Sequence, residues 1–275
     1  MIVKSTIASC WLAPPERLEA ACAGMEAALD SARKGTKAFF RADDVAVPGD
    51  NCRRMLELFS RYQLPLHLAV TPAWLTRPRW ETLKSWAGDD RLWCWHQHGW
   101  RHVNHQKYGK KSEFGSDRTR HEKRMDISRG RDRLRDIMGD DFCEVFTPPW
   151  NRFDEVTAEV LLELGFRNVS RSQGEGRKVK LSRRMHDTPV NVDLHTRGEA
   201  DPGQGLDGLL EDIAEAVRYG RLGVMLHHQR MNEAAFTFLE RCLAAVAANP
   251  AIEPHGPDET KVSIDQAIFA YSTSF

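Results

Sequence analysis

Trp93-Cys94-Trp95-His96-Gln97-His98-Gly99-Trp100-Arg101-His102-Val103-Asn104-His105 is the stretch that decides how this chain is read. Four of the 11 histidines fall inside it. Neutral imidazole is the commonest protein ligand for transition metals. Residues 91–95 form a short apolar and aromatic run that reads as a buried strand, and Gly99 interrupts it. The histidines therefore stand where a strand opens into a loop, which is where barrel enzymes keep their chemistry. One helical turn would set His98 and His102 on the same side, whereas an extended backbone would pair His96 with His98; the spacing accommodates both. Two imidazoles do not complete a metal site, so a carboxylate has to come from elsewhere in the chain.

Outward from this stretch, short apolar strands alternate with helical patterns. A helix is expected over 14–35, opened by Pro14-Pro15 and closed by Gly35. Residues 1–36 then form an N-terminal helical extension and 37–275 the main domain. Lys37–Ala42 reads as a strand ending at Asp43-Asp44, two adjacent carboxylates that repel unless something cationic stabilises them. Further strands are expected at 66–70, 144–147, 167–170, 190–195 and 222–226, the last ending at His227-His228. Helices are expected at 51–62, 78–87, 117–138, 154–164, 206–219 and 232–248. Repeated β-then-α order means parallel strands with helices outside. No Gly-x-Gly-x-x-Gly or Gly-Lys-Ser/Thr loop follows any strand, which removes support from a nucleotide-binding open sheet. The expected fold is α/β, a distorted (β/α) barrel of about seven parallel strands, with the polar strand ends gathered on one rim.

Composition narrows the function classes. The 39 basic and 39 acidic residues of the 275 cancel, so global charge carries no footprint of a nucleic-acid or membrane partner. The first residues lack the apolar region of an export signal, and no apolar run reaches the roughly 18 residues of a membrane span. The six cysteines are scattered without a Cys-x-x-Cys pair, as expected for a cytoplasmic protein. The basic segment 106–124 reads as a solvated surface.

In chain order, Asp43-Asp44, then His98-Gly99-Trp100-Arg101-His102, then Thr147-Pro148-Pro149-Trp150, an acidic strand at Asp193 and Leu226-His227 resemble the motifs of the polysaccharide deacetylase family of carbohydrate esterases. The resemblance spans roughly residues 37–230. It implies that Asp44, His98 and His102 hold a divalent metal, most often zinc, which polarises an amide carbonyl and brings a bound water to a pKa of about 7. It further implies Asp43 as general base and His227 as the acid for the departing amine, with His228 the alternative in that double histidine. Trp150, Pro149, Asp193 and Arg41 are the implied substrate contacts, with a backbone N–H near Trp150 for the oxyanion. The implied substrate is an N-acetylated sugar or another small amide.

Two positions depart from the family pattern. Thr147 stands where the family has an arginine that orients the catalytic aspartate, leaving Arg41 and Arg152 as substitutes, and Val45 stands for a glycine. Two other readings compete. In one, His96-Gln97-His98 is the His-x-His of a barrel amidohydrolase; in the other, a degenerate barrel binds a sugar or a partner. His67, His121, His186 and His195 read as structural or solvated, and Trp74, Trp80 and Trp100 as surfaces for stacking a sugar.

Overall fold

The computed structural model describes residues 6–88, 90–174 and 179–256. Its strands are β1 (Thr36–Val45), β2 (Leu66–Val70), β3 (Trp93–His98), β4 (Phe142–Thr147), β5 (Asn168–Val169), β6 (His186–Asp187), β7 (Val192–Asp193), β8 (Arg221–Leu226) and β9 (Ile252–Pro254). They pair in parallel in the spatial order β6-β5-β4-β3-β2-β1-β8-β7, with β9 beside the start of β1. An isolated parallel bridge between Ser172 and Val190 joins the β5 side of the sheet to the β7 side. The sheet thus curls into the expected distorted barrel.

The helices are α1 (Pro15–Asp30), α2 (Asp50–Tyr62), α3 (Arg77–Ala87), α4 (Arg120–Met138), α5 (Glu155–Glu163), α6 (Pro202–Arg218) and α7 (Glu233–Ala248). Their starts follow local chemistry. Pro15 opens α1, Thr119 and Glu122 form a capping box on α4, and Asp154, Asp201 and Asn232 cap α5, α6 and α7. Helix α1 packs on α6 and α7 and buries Ala21, Cys22, Met25 and Leu29 against them. Among the described residues no helix is long and apolar enough to cross a membrane.

Several expected boundaries move, each for a local reason. β3 runs three residues further than expected, through His96-Gln97-His98, because His96 and His98 find partners on the inner face and Gln97 donates to the Gly99 and Ile127 carbonyls on the helix side. The strand expected at 190–195 shrinks to Val192–Asp193, since the Gly223 amide goes to the Asn191 side chain at one end and the Asp193 carboxylate turns the chain by taking the His195 and Thr196 amides at the other. β6 and β9 escaped detection because two- and three-residue strands carry no readable alternation.

Alternation divides the barrel wall into two unlike faces. Phe40, Ala42, Leu66, Leu68, Val70, Trp93 and Trp95 face the helices and join the main apolar core. The inner face carries polar groups instead, among them Arg41, Asp43, His67, His96 and His98, all buried. Burial holds His67 and His195 well below the ordinary histidine value of 6.5, and His96 at about 3. Below pH 6.5 the unfolded chain takes up these protons and the folded one does not, so acid favours unfolding. Stability measured by urea denaturation should therefore fall as pH drops from about 6.5 toward 3, by up to about 1.4 kcal/mol per pH unit for each such histidine. A flat profile between pH 6.5 and 5 would contradict the buried neutral state.

Candidate active site

The end of β1 supplies two carboxylates because its alternation is broken there. Arg41 and Asp43, two apart, share the inner face. The pairing of β1 with β2 shifts register between Ala42 and Val45, and Asp44 takes a left-handed backbone at φ 61°. Asp44 is thereby turned into the same mouth as Asp43, while Val45 returns to the apolar outer face. The Gln229 side chain donates to the Asp44 carbonyl at 2.6 Å and fixes this bulge.

Arg41 is fully buried and grips Asp43 with two parallel bonds, Nε to Oδ1 at 2.7 Å and Nη2 to Oδ2 at 2.9 Å. Its remaining donors reach Ser170 Oγ at 2.8 Å and Asn151 Oδ1 at 2.7 Å, tying β1 to the ends of β5 and β4. Burial alone would raise the Asp43 pKa. The Arg41 guanidinium, with His98 and His227, outweighs it and holds the carboxyl below the ordinary carboxylate range. Arg41 was expected at the substrate or, like Arg152, as a substitute for the arginine missing at Thr147. It lies behind the aspartate, as the strand period requires, and bonds Asp43, whereas Arg152 donates to the Lys111 carbonyl.

His98 ends β3, and its Nδ1 donates to the Thr147 carbonyl at 3.0 Å, leaving Nε2 toward Asp44. The chain from Gly99 to His102 is neither helical nor extended. Gly99 has φ 58°, and a Cβ there would lie 2.2 Å from Glu113 Oε2 and 2.5 Å from Pro149 Cγ. Fully buried Glu113 accepts from the Trp100 amide at 3.1 Å and the Arg101 amide at 2.7 Å, which fastens the loop under His102. His102 has φ 58° and sits between Trp74 and Trp150, with ring centroids 5.9 and 4.3 Å away. Burial lowers the His102 pKa to about 4.

His98 Nε2 and His102 Nε2 each lie 3.4 Å from Asp44 Oδ1, and that oxygen has no hydrogen-bond partner among the described residues. A buried, orphaned carboxylate oxygen facing two imidazole nitrogens fits a divalent cation held by one oxygen and two nitrogens. The bond from His98 Nδ1 to the Thr147 carbonyl holds the ring in the tautomer and orientation that such a ligand needs.

On the other side, Arg41 pairs with Met225 in the β1–β8 register, so the next inward positions are Asp43 and His227. His227 lines the cavity, and its backbone N–H donates to His195 Nδ1 at 3.0 Å. His228 turns away and is buried outside the cavity wall, with burial lowering its pKa to about 4. The cavity has a volume of about 860 Å³, and Asp43, Asp44, His98, His102, Trp150 and His227 share its lining. Of the five non-glycine residues with positive φ among the described residues, Asp44, His102, Trp150 and Asn151 border it.

Other expected site residues do not reach the centre. Pro149 is buried as the packing partner of Gly99. Asp193 borders the cavity, yet its carboxylate accepts from the His195 and Thr196 amides at 3.0 and 2.9 Å, as a turn-former does. His96 is bonded to Thr147 Oγ1 and the Cys94 carbonyl and joins no common ligand set with His98, which removes the His-x-His reading. Trp80 stacks edge-on against Trp95 in the core, Trp100 is buried and Trp74 packs between the main core and His102, which leaves Trp150 in the cavity wall. Glu113 and Asn151 were not singled out from sequence. A glutamate in a basic, polar segment and an asparagine in a turn carry no signal of the contacts they make.

Residues 33–169 match the family model for polysaccharide deacetylase. No curated protein matches the chain. Among solved structures, the fold is similar to that of a polysaccharide deacetylase from Mycobacterium smegmatis, with a TM-score of 0.56 and 16% identity over 79% of this chain and 78% of that one. A polysaccharide deacetylase from Pseudomonas aeruginosa PAO1 gives 0.55 and 15% over 78% and 73%. T48 deacetylase, solved with substrate, gives 0.51 and 12% over 82% and 92%.

Removing one partner of a buried ion pair strands the other. Arg41→Met is expected to cost about 3–5 kcal/mol of stability in urea denaturation, and Arg41→Met/Asp43→Asn to recover much of that loss. A double variant no more stable than the single would contradict the account of Arg41 as the charge partner of Asp43.

Proposed function

Because the chain is a polysaccharide deacetylase-like protein, a hydrolase of amide or ester bonds, we propose that it removes an N-acetyl group from a carbohydrate or a related small amide with the help of a divalent metal. The observation that carries this reading is the convergence of Asp43, the Asp44–His98–His102 set and His227 on one cavity. A binding module needs neither the base nor the acid.

Asp44, His98 and His102 are the proposed metal ligands, and zinc suits their donor set. When bound, the cation acidifies water and polarises the acetyl carbonyl. Asp43 accepts the proton of the attacking water. Arg41 holds that carboxylate ionised and aimed, so the accepting form is present throughout the working pH range. His227, beside Asp43 at the end of the neighbouring strand β8, delivers a proton to the departing amine, without which the C–N bond does not break productively. A backbone N–H at Trp150 is the proposed oxyanion donor, and the Trp150 ring offers an apolar face to a sugar.

Acetate release from N-acetylglucosamine, its β-linked oligomers and a simple N-acetyl amide tests the proposal. With zinc added, the wild type should turn over at least one of them. Asp43→Asn and His227→Ala should each lower kcat by about 10²–10⁴-fold. Sugar binding by calorimetry with no acetate released from any substrate would favour a catalytically silent binding barrel instead.

A further inference from the structure

Level with Arg41 and two positions below Asp43, the barrel interior holds a second group of metal-capable side chains that the proposed reaction does not use. His67 of β2 pairs with Cys94 of β3 in the parallel register, and His96 follows two residues later on the same inner face. One ligand atom from each lies within 4.8 Å of the others. The three residues are 2%, 0% and 0% exposed.

His67 is the anomaly. Neither Nδ1 nor Nε2 of its ring has a hydrogen-bond partner among the described residues. A neutral imidazole carries one N–H and one lone pair, so a buried donor and a buried acceptor are both stranded. Buried polar groups are otherwise almost always paired. Ring packing from Phe39, with centroids 4.6 Å apart, and from His255, stacked at 5.9 Å, supplies no such partner to the nitrogens.

We propose that His67, Cys94 and His96 form a second cation site on the barrel floor, separate from the catalytic set and structural in role, for a thiolate-preferring divalent ion such as zinc. The set contains a sulfur donor and imidazoles but no carboxylate, which disfavours magnesium and calcium. Sulfur and nitrogen ligands about a zinc ion at 2.0–2.3 Å stand roughly 3.3–3.8 Å apart, inside the spacing found here. His96 is already oriented by its Nε2 contact with Thr147 Oγ1 at 2.9 Å. Its Nδ1 exchanges the Cys94 carbonyl, 3.1 Å away, for the ion. The Asp43 carboxylate offsets part of the neighbouring Arg41 charge, and a Cys94 thiolate would add the negative charge that the incoming cation needs. A cation here pins β2 to β3 directly beneath the reacting groups.

The full chain produced in cobalt-supplemented minimal medium provides the test, with cobalt(II) as the probe. The expected result is a near-ultraviolet thiolate-to-cobalt charge-transfer band and two cobalt ions per chain. Asp44→Ala should lower the count to one and keep the band; Cys94→Ser should abolish the band. The catalytic set has no sulfur, so one ion per chain with the band present supports this site even if the catalytic reading fails. A folded wild type without the band, or a band that survives Cys94→Ser, overturns the proposal. If Cys94→Ser does not fold, serine variants of the other five cysteines decide: a band kept in all of them supports Cys94, and a band lost in one overturns it.

Discussion

A guanidinium buried in the barrel and locked to a carboxylate two residues along the same strand is the constraint on which this site rests. Arg41 and Asp43 meet because β1 stays regular up to that point. Their pairing keeps Asp43 charged in a place where burial alone would neutralise it. The same guanidinium reaches Ser170 and Asn151, so one side chain sets the relative positions of three strand ends. A buried pair of this kind is poor evidence for net stability, since desolvation offsets much of the attraction. Its value here is geometric: the carboxylate cannot rotate without breaking two bonds.

Strain is concentrated around the same cavity. Asp44, His102, Trp150 and Asn151 all hold left-handed backbone conformations, which aspartate and asparagine tolerate better than tryptophan does. Each such residue costs of order 1–3 kcal/mol and persists only where its surroundings over-determine it. Those surroundings are identifiable: the Gln229 contact holds Asp44, Glu113 clamps the amides before His102, and Arg41 holds Asn151. The rim is thereby preorganised to aim ligands at one point rather than to adjust around it.

Much of the fold was legible in the sequence because the β-then-α alternation is regular and the helix caps are strong. The motif residues Asp43, Asp44, His98, His102 and His227 were legible too, since they fall at strand ends. Three features were not. Arg41 read both as a substrate contact and, alongside Arg152, as a substitute for the missing arginine, because a sequence does not show that β1 remains regular to residue 43 and bulges immediately after it. Asp193 and Pro149 read as site residues on position alone, whereas their bonding and packing requirements are met locally by backbone amides and by Gly99. Glu113 was invisible: its partners are main-chain N–H groups brought to it by the reversal after Gly99, and main-chain partners leave no trace in side-chain patterns.

The most direct test of the central claim is an anomalous difference map at the zinc edge from crystals grown with zinc. The account predicts a peak bonded to Asp44 Oδ1, His98 Nε2 and His102 Nε2, with a solvent oxygen between it and Asp43 and the Arg41–Asp43 bonds intact. Saturating zinc with no peak among those three atoms, or a peak with Asp43 swung away from Arg41 to become a ligand itself, would contradict it.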